Sequence, residues 1–345
     1  MKMKGAIIGF GNIAEGHVFA YKAIDELNII AVLDICEERK EIAKKTLPGV
    51  RCYSDFESMT LREDLDFIDV CTPPYCRFNY MLKGLKRGYH VIGEKPFLLN
   101  KKQYEILITT AIQNNTVLYP SHNYKFAPAV RMTKDLITST HFGRIISGYY
   151  KTYRIGHAKG NYQWKTDWRR DLLYSGGGIL FDHGPHSIYM SCYFTGEWPI
   201  AVSCVSGILG DKKYNTEDTA MLTLHFEKNL KIDILLTWVS AIRETDYYIF
   251  GENGSIRIED DIIRYIDCKG NENILKIKSE FNDPSHKSWF IDMLKDFCHS
   301  VNCSLNRLDL VKESFVTVAV IEAAYNSSKL GGKKIPIELP EWFDE

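Results

Sequence analysis

Three groups of residues in this chain have the types and spacing to do chemistry. Gly9-Phe10-Gly11-Asn12-Ile13-Ala14 follows the apolar run Gly5-Ala6-Ile7-Ile8 and precedes residues at helical spacing. A glycine turn between strand and helix cradles a dinucleotide. Gly9 makes the turn, Gly11 admits the pyrophosphate, Ala14 lets helix and strand pack closely, and the helix N-terminus offers free N–H groups. Asp34 closes the next apolar run, Ile29–Leu33. A carboxylate there takes the ribose hydroxyls and disfavours a 2′-phosphate. Gly9, Phe10, Gly11, Asn12, Ile13 and Asp34 are therefore expected to bind NAD, with NADP the lesser alternative.

The second group is Glu94-Lys95-Pro96, behind the apolar run His90-Val91-Ile92. A lysine at the end of such a strand is a cation beside the nicotinamide, able to polarise an alcohol or carbonyl oxygen. The proline makes a rigid turn to which a cis bond is open. The third is Asp182-His183-Gly184-Pro185-His186, after the triple glycine Gly176–Gly178. Asp182 and His186 are four apart and share a face if the segment is helical, although Gly184 and Pro185 are poor helix residues. His186, with an ordinary pKa of about 6.5, is the expected proton acceptor. Asp182 is expected to bind an adjacent hydroxyl and to favour a protonated His186. His183 faces the supporting layer or the substrate's rim. An Asp-His-x-x-His cluster raises a metal, but no further ligand pair stands at ligand spacing, and none is assigned.

The elements that must position these residues alternate. Strands end at Ile8, Leu33, Tyr53, Cys71, Ile92 and Tyr119, with helices at Glu37–Leu47, Tyr75–Gly88 and Asn100–Asn114 between several of them. That alternation predicts a doubly wound parallel sheet with its ligand beyond the carboxyl ends of the strands. A helix Ala129–Thr140 and a strand Arg144–Tyr153 follow. Residues 154–170 lack periodicity and are rich in glycine, aromatics and base, which marks a functional loop. His157, Lys159 and Arg170 there suit an anionic or polyhydroxylated substrate. From Ile200 strands joined by short turns, such as Glu227-Lys228-Asn229 and Glu252-Asn253-Gly254, predict an antiparallel sheet, closed by helices Ser288–Cys298 and Leu308–Ser327. The expected fold is α/β: a cofactor domain over 1–122 and an α+β domain with a large, mostly antiparallel open sheet over 123–345.

Composition bounds the rest. The 345 residues are 45% hydrophobic and 25% charged with net charge −1, an ordinary globular composition with no drive toward nucleic acid or anionic membrane. No apolar run reaches membrane-spanning length, and Met1-Lys2-Met3-Lys4 leads directly into the first strand. The nine cysteines include no CxxC pair and read as reduced core thiols. A cytoplasmic protein is expected.

The glycine turn, Asp34, Thr72-Pro73-Pro74 and above all Glu94-Lys95-Pro96 resemble the glucose–fructose oxidoreductase / inositol dehydrogenase / MocA (Gfo/Idh/MocA) family, over essentially the whole chain. The resemblance implies a Rossmann domain and an NAD-dependent oxidoreductase. Hydride would pass between nicotinamide and a secondary alcohol or ketone of a sugar, cyclitol or sugar derivative, sugar nucleotides included. It implies catalytic roles for Lys95, Asp182 and His186. Thr72, Pro73, Pro74 and Glu94 fall on the cofactor edge. Ser121–Pro128 is similar to the family's crossover, which places Asn123 near nicotinamide and Tyr124 toward substrate. Trp168-Arg169 matches a Trp-Arg pair near both, and Tyr153, His157 and His183 complete the expected substrate contacts. Arg77 departs from the histidine common at its position, a change that touches local packing. A homodimer or homotetramer through the C-terminal sheet is implied. Two rivals share the residues or the fold: a redox-neutral enzyme with tightly held NAD (glycosidase, epimerase or sugar–sugar oxidoreductase), and a non-catalytic NAD-sensing regulator.

Overall fold

The computed structural model describes residues 2–139, 141–281, 283, 285–303 and 308–343. Six short apolar strands, β1 (Met3–Ile8), β2 (Leu27–Leu33), β3 (Arg51–Tyr53), β4 (Phe67–Val70), β5 (His90–Gly93) and β6 (Leu118–Pro120), form a parallel sheet in the order β3-β2-β1-β4-β5-β6. Helices α1 (Asn12–Tyr21), α2 (Glu37–Thr46), α3 (Phe56–Arg62), α4 (Pro74–Lys86) and α5 (Lys101–Gln113) connect these strands. Side-chain caps start two of them: Asp55 accepts the Ser58 N–H at 2.8 Å and Asn100 accepts that of Gln103 at 3.1 Å, filling donors that a helix start leaves free.

The chain then crosses through α6 (Pro128–Ser139) to β7 (Ile145–Tyr153). Thr140, the expected last residue of that helix, lies outside the described residues. Beyond the loop come α7 (Leu172–Ser175), α8 (Ile179–Asp182) and α9 (Gly184–Thr195). Strands β8 (Ala201–Gly207), β9 (Thr219–His225), β10 (Lys231–Thr237), β11 (Glu244–Gly251), β12 (Gly254–Glu259), β13 (Ile262–Asp267) and β14 (Glu272–Lys276) follow. Helices α10 (Lys287–Asn302) and α11 (Asp309–Lys329) and the short β15 (Ile335–Pro336) end the fold. The second sheet has nine strands in the order β14-β13-β12-β11-β7-β10-β9-β8-β15. It is antiparallel except where β7 pairs in parallel with β10. Lys228 and Asn229 carry the positive φ of a tight hairpin turn, as the sequence suggests. Strand β14 is absent from the sequence reading, because its mostly exposed ENILK shows no alternation toward a core.

The second part packs back on the first. Helix α10 lies on α1, where the Phe290 ring packs at a tilt against His17, 4.4 Å between ring centres. A Cβ at Gly16 would stand 3.2 Å from the same ring.

The segment carrying Asp182 and His186 is two helices rather than one. His183, at φ −103° and ψ −26°, ends α8 and precedes α9, whose first turn holds Pro185. The missing N–H of proline suits a helix start and not a helix interior. The start of α8 is clamped by Glu217, whose carboxylate accepts the N–H groups of Gly178 and Leu180 and the Tyr325 hydroxyl, the last at 2.9 Å. A Cβ on Gly178 would fall 1.8 Å from the Glu217 carbonyl oxygen, so backbone must move to admit one. Gly178→Ala is expected to destabilise the protein by about 2 kcal/mol, read as a lower urea midpoint. An unchanged midpoint would show that the clamp yields freely.

Candidate active site

The carboxyl ends of the first sheet open onto a cavity of about 350 Å³ whose far wall belongs to the second sheet and its loops. That volume lies in the range of small-molecule sites. Gly9 has φ +87°, and a Cβ there would stand 2.9 Å from Thr72 Cγ2, so only glycine makes this turn. At Gly11 the nearest atom to such a Cβ is Asn161 Nδ2 at 3.8 Å, which leaves the turn open to close approach. Asp34 is fixed by the backbone: its Oδ2 accepts the Phe10 N–H at 2.6 Å and its Oδ1 that of Cys36 at 2.8 Å. Each oxygen keeps a further lone pair for a ribose hydroxyl. Beside the turn, Thr72 Oγ1 is buried without a partner among the described residues. These groups fit a dinucleotide.

Gly9, Gly11, Asn12, Ile13, Asp34, Thr72, Pro73, Glu94, Lys95 and Asn123 all line the cavity. Phe10 and Pro74 do not. The Phe10 ring is fully buried beneath the turn, with the Arg39 guanidinium 5.8 Å from its centre, so its contribution is the N–H to Asp34. Pro74 opens α4. Arg77 donates to the carbonyls of Thr72, Glu94 and Pro96, tying two cofactor-edge loops together.

At the other end Lys95, Tyr124, Trp168, Arg169, Asp182, His183 and His186 meet. The Lys95–Pro96 bond is cis. Lys95 Nζ donates to the Asp182 carbonyl at 2.9 Å and to its Oδ1 at 3.0 Å. Burial opposes ionisation of Asp182, but Lys95 and Arg169 outweigh it and hold the carboxyl well below the usual range. The Asp182 carboxylate is thus committed to Lys95 rather than to His186. His186 Nδ1 bonds the Tyr189 hydroxyl at 2.8 Å, and Tyr124 stacks on its ring at 4.0 Å. Burial, then the charge of Lys95, pushes the imidazole well below its ordinary pKa, which corrects the expectation of an unperturbed histidine. His183 turns into the same cavity instead of a supporting layer, its Nδ1 3.3 Å from Asp182 Oδ2, and burial lowers it to about 4. Tyr153 and His157 stand off the cavity. Tyr153 ends β7 with the Lys151 ammonium 5.7 Å from its ring, and His157 Nε2 bonds Asp167 at 2.8 Å. Arg170 donates to the Thr216 carbonyl at 3.1 Å, while Lys159 reaches the wall and pairs with Asp167.

Sequence reasoning missed the layer beneath. His17, on α1, places Nδ1 2.7 Å from Asp69 Oδ2 and Nε2 3.0 Å from Glu94 Oε1. Tyr21 donates to Asp69 at 2.9 Å, Ser121 donates to Glu94 at 2.8 Å, and the Lys95 N–H donates to Glu94 Oε2 at 2.9 Å. Burial disfavours a charged His17, but Asp69 and its neighbours win and raise the imidazole well above its ordinary pKa. An acid in the middle of the apolar strand Phe67-Ile68-Asp69-Val70 was the available signal. Among the described residues His17, Asp69 and Cys71 also form a group close enough for a metal. Both ring nitrogens already face carboxylates. Arg154, Arg243, Ser285 and His286 line the substrate end as well.

A model of the oxidoreductase family with an NAD-binding Rossmann fold matches residues 3–122, and one of the GFO/IDH/MocA C-terminal domain matches residues 130–257. The chain belongs to the Gfo/Idh/MocA family of oxidoreductases. Its first sheet is therefore an NAD-binding Rossmann fold. Among its Gfo/Idh/MocA relatives, the 2,7-anhydro-N-acetylneuraminate hydratase of Mediterraneibacter gnavus is 26% identical over 276 residues, 78% of this chain and 70% of that one. The D-glucoside 3-dehydrogenase of Escherichia coli is 27% identical over 195 residues, 56% of this chain and 54% of that one. The chain spans between 54% and 70% of the length of the curated relatives it matches first. A solved levoglucosan dehydrogenase in complex with NADH and levoglucosan superposes with a TM-score of 0.84 at 18% identity, covering 98% of this chain and 100% of that one. That likeness is one of fold.

The buried network predicts a pH dependence of stability. A histidine whose folded pKa is raised stabilises fully below its unfolded value and loses that contribution as pH climbs through the folded value. Unfolding free energy should therefore fall as pH climbs above about 6.5 in the native protein, more steeply than in His17→Gln. Equal slopes in urea titrations across that range would show that His17 is not a buried imidazolium.

Proposed function

We propose that the protein is an NAD-dependent dehydrogenase acting on a secondary alcohol of a sugar, cyclitol or sugar derivative, with residues 1–122 holding the cofactor and 123–345 the substrate. One observation carries this: an ionised Asp182, the Lys95 ammonium and a depressed His186 converge on the cavity whose other end carries the dinucleotide turn. Gly9, Gly11, Asn12, Ile13 and Asp34 would hold the cofactor, and Asp34 favours NAD over NADP. When bound, NAD supplies the oxidised nicotinamide that accepts a hydride. His186, neutral at pH 7, takes the hydroxyl proton. Lys95 holds the same oxygen and stabilises negative charge as it develops there. Asp182 keeps the ammonium aimed into the cavity. Asn123, Trp168 and Arg169 position the two reactants.

A second reading keeps these residues with no net redox change, and the likeness to a hydratase favours it. Purified protein given NAD and a panel of sugars, cyclitols and sugar acids should show rising nicotinamide absorbance. A nicotinamide that returns to its oxidised state in each turnover while staying bound would favour the second reading. Lys95→Met should lower turnover by about 10²–10⁴ with NADH affinity retained. Because the His186 pKa lies below its ordinary value, kcat/KM should hold through pH 6.5 and decline only at more acid pH. That limb should vanish in His186→Ala. A limb unchanged by the substitution would assign the proton to another group.

Assembly is proposed through the outer face of the second sheet. Val205, Met221 and Leu235 stand in register on three adjacent strands, with Val205 62% and Met221 59% exposed. An exposed apolar row of this kind supports an interface there. Met221→Arg should convert a homodimer or homotetramer to smaller species in light scattering; an unchanged mass would place the interface elsewhere. All nine cysteines are free thiols and, among the described residues, no helix is long and apolar enough to cross a membrane. Both fit a cytoplasmic site of action.

A further inference from the structure

Arg154 directly follows β7 and Arg243 directly precedes β11. The last register pair of those strands is Tyr153 with Glu244, so the arginines are the next opposed pair, at the cavity end of the sheet. Both line the cavity. Like charges placed directly opposite each other are destabilising. Burial, then repulsion from Arg154, depresses Arg243.

The carboxylates that would relieve this are used elsewhere. Glu244 and Asp246 bind Lys151 at 2.6 and 3.3 Å, and Asp246 binds Arg257 at 2.7 Å. Asp260 and Asp283 act on Arg243 from a distance. Neither makes an ion pair with Arg243 or Arg154 among the described residues. Arg154 is only 5% exposed. Its Nη groups donate to the carbonyls of Tyr153 and Glu244 and to the Thr245 hydroxyl, which leaves its Nε buried without a partner. Arg243 is half-buried and makes no hydrogen bond or ion pair among the described residues. Ring contacts lead from the reacting end to His286, which the charge of the pair reaches. His186 stacks on Tyr124, the Tyr124 hydroxyl lies 3.4 Å from His286 Nε2, and His286 feels the charge of both arginines.

We infer that Arg154 and Arg243 form an oxyanion subsite, and that the substrate carries a carboxylate or phosphate which sits between them while its secondary alcohol meets Lys95 and His186. The inference rests on the dehydrogenase reading and narrows its substrate class to anionic sugar or cyclitol derivatives. A guanidinium fork offers planar, paired donors to such a group, and one anion removes both the repulsion and the unused donors.

The test uses the NADH-loaded full chain, so that phosphate cannot enter the cofactor site. Thermal unfolding is followed with D-glucose, D-glucuronate, D-glucose 6-phosphate and inorganic phosphate at constant ionic strength set with chloride. Native protein should be stabilised by at least one of the three anions beyond the effect of glucose or chloride, and the carboxylate and phosphate arms identify the preferred oxyanion. Arg243→Gln should bind that anion at least about 10-fold more weakly, the worth of a charged hydrogen bond. Arg243→Lys, which keeps the charge and serves as the second variant, should fall between. No anion protecting the native protein, or equal protection of Arg243→Gln, overturns the subsite. NAD reduction recorded alongside separates the two claims. Protection lost in Arg243→Gln without any NAD reduction upholds the subsite and refutes the dehydrogenase, while reduction of neutral sugars with no anion effect does the reverse.

Discussion

A buried carboxylate, Glu94, is the constraint on which the cleft depends. It is 4% exposed, and burying an unpaired carboxylate costs far more than any single contact returns. The fold answers with four partners: the His17 imidazole from α1, the Ser121 hydroxyl after β6, the N–H of Lys95, and the nearby charge of Arg77 on α4. Burial alone would raise the Glu94 carboxyl, but His17, Lys95 and Arg77 reverse the sign and lower it. His17 in turn needs Asp69, so a strand centre, a helix and two loops are locked by one chain of charges. Lys95 leaves that lock in a single direction, toward Asp182.

The second part of the chain supplies the matching half. Glu217 clamps the start of α8, which fixes Asp182 at its last turn. The break at His183 then lets α9 begin afresh and present His186 to the same cavity. A continuous helix through Gly184-Pro185 would leave a carbonyl without its donor. Two short helices solve this and also bring His183 inward. The result is a bridge, Lys95 to Asp182, between residues far apart in the chain, flanked by a histidine that burial keeps uncharged.

Much of this was legible in the residues. The glycine turn, Asp34 and the Glu-Lys-Pro turn show in the residue types themselves, although Thr72 crowds Gly9, the Phe10 N–H holds Asp34 and Arg77 braces the Pro96 turn. The alternation of apolar runs and helical spacing likewise specified the parallel sheet. What escaped were features made by distance. His17 looked like one more residue on a helix face, because its partners, Asp69 on β4 and Glu94 just after β5, are distant in sequence. Arg154 and Arg243 sat at element ends, and only the β7–β11 register sets them opposite one another. His157 and Tyr153 matched a substrate-facing composition, but Asp167 and Lys151 claim them. The depressed pKa of His186 is a property of burial, which spacing cannot show.

If Glu94 acts through Lys95, the Lys95 N–H bond to its carboxylate fixes the residue whose ammonium reaches Asp182, and substitutions at the two positions share one effect. A double-mutant cycle on turnover measures this directly, with Glu94→Gln, Lys95→Met and the double variant assayed on the same alcohol and NAD. Each single change should lower kcat, NADH affinity should hold in both, and the double variant should be no slower than Lys95→Met alone. Losses that multiply, or a Glu94→Gln enzyme as fast as the native one, would show that Glu94 does not act through Lys95.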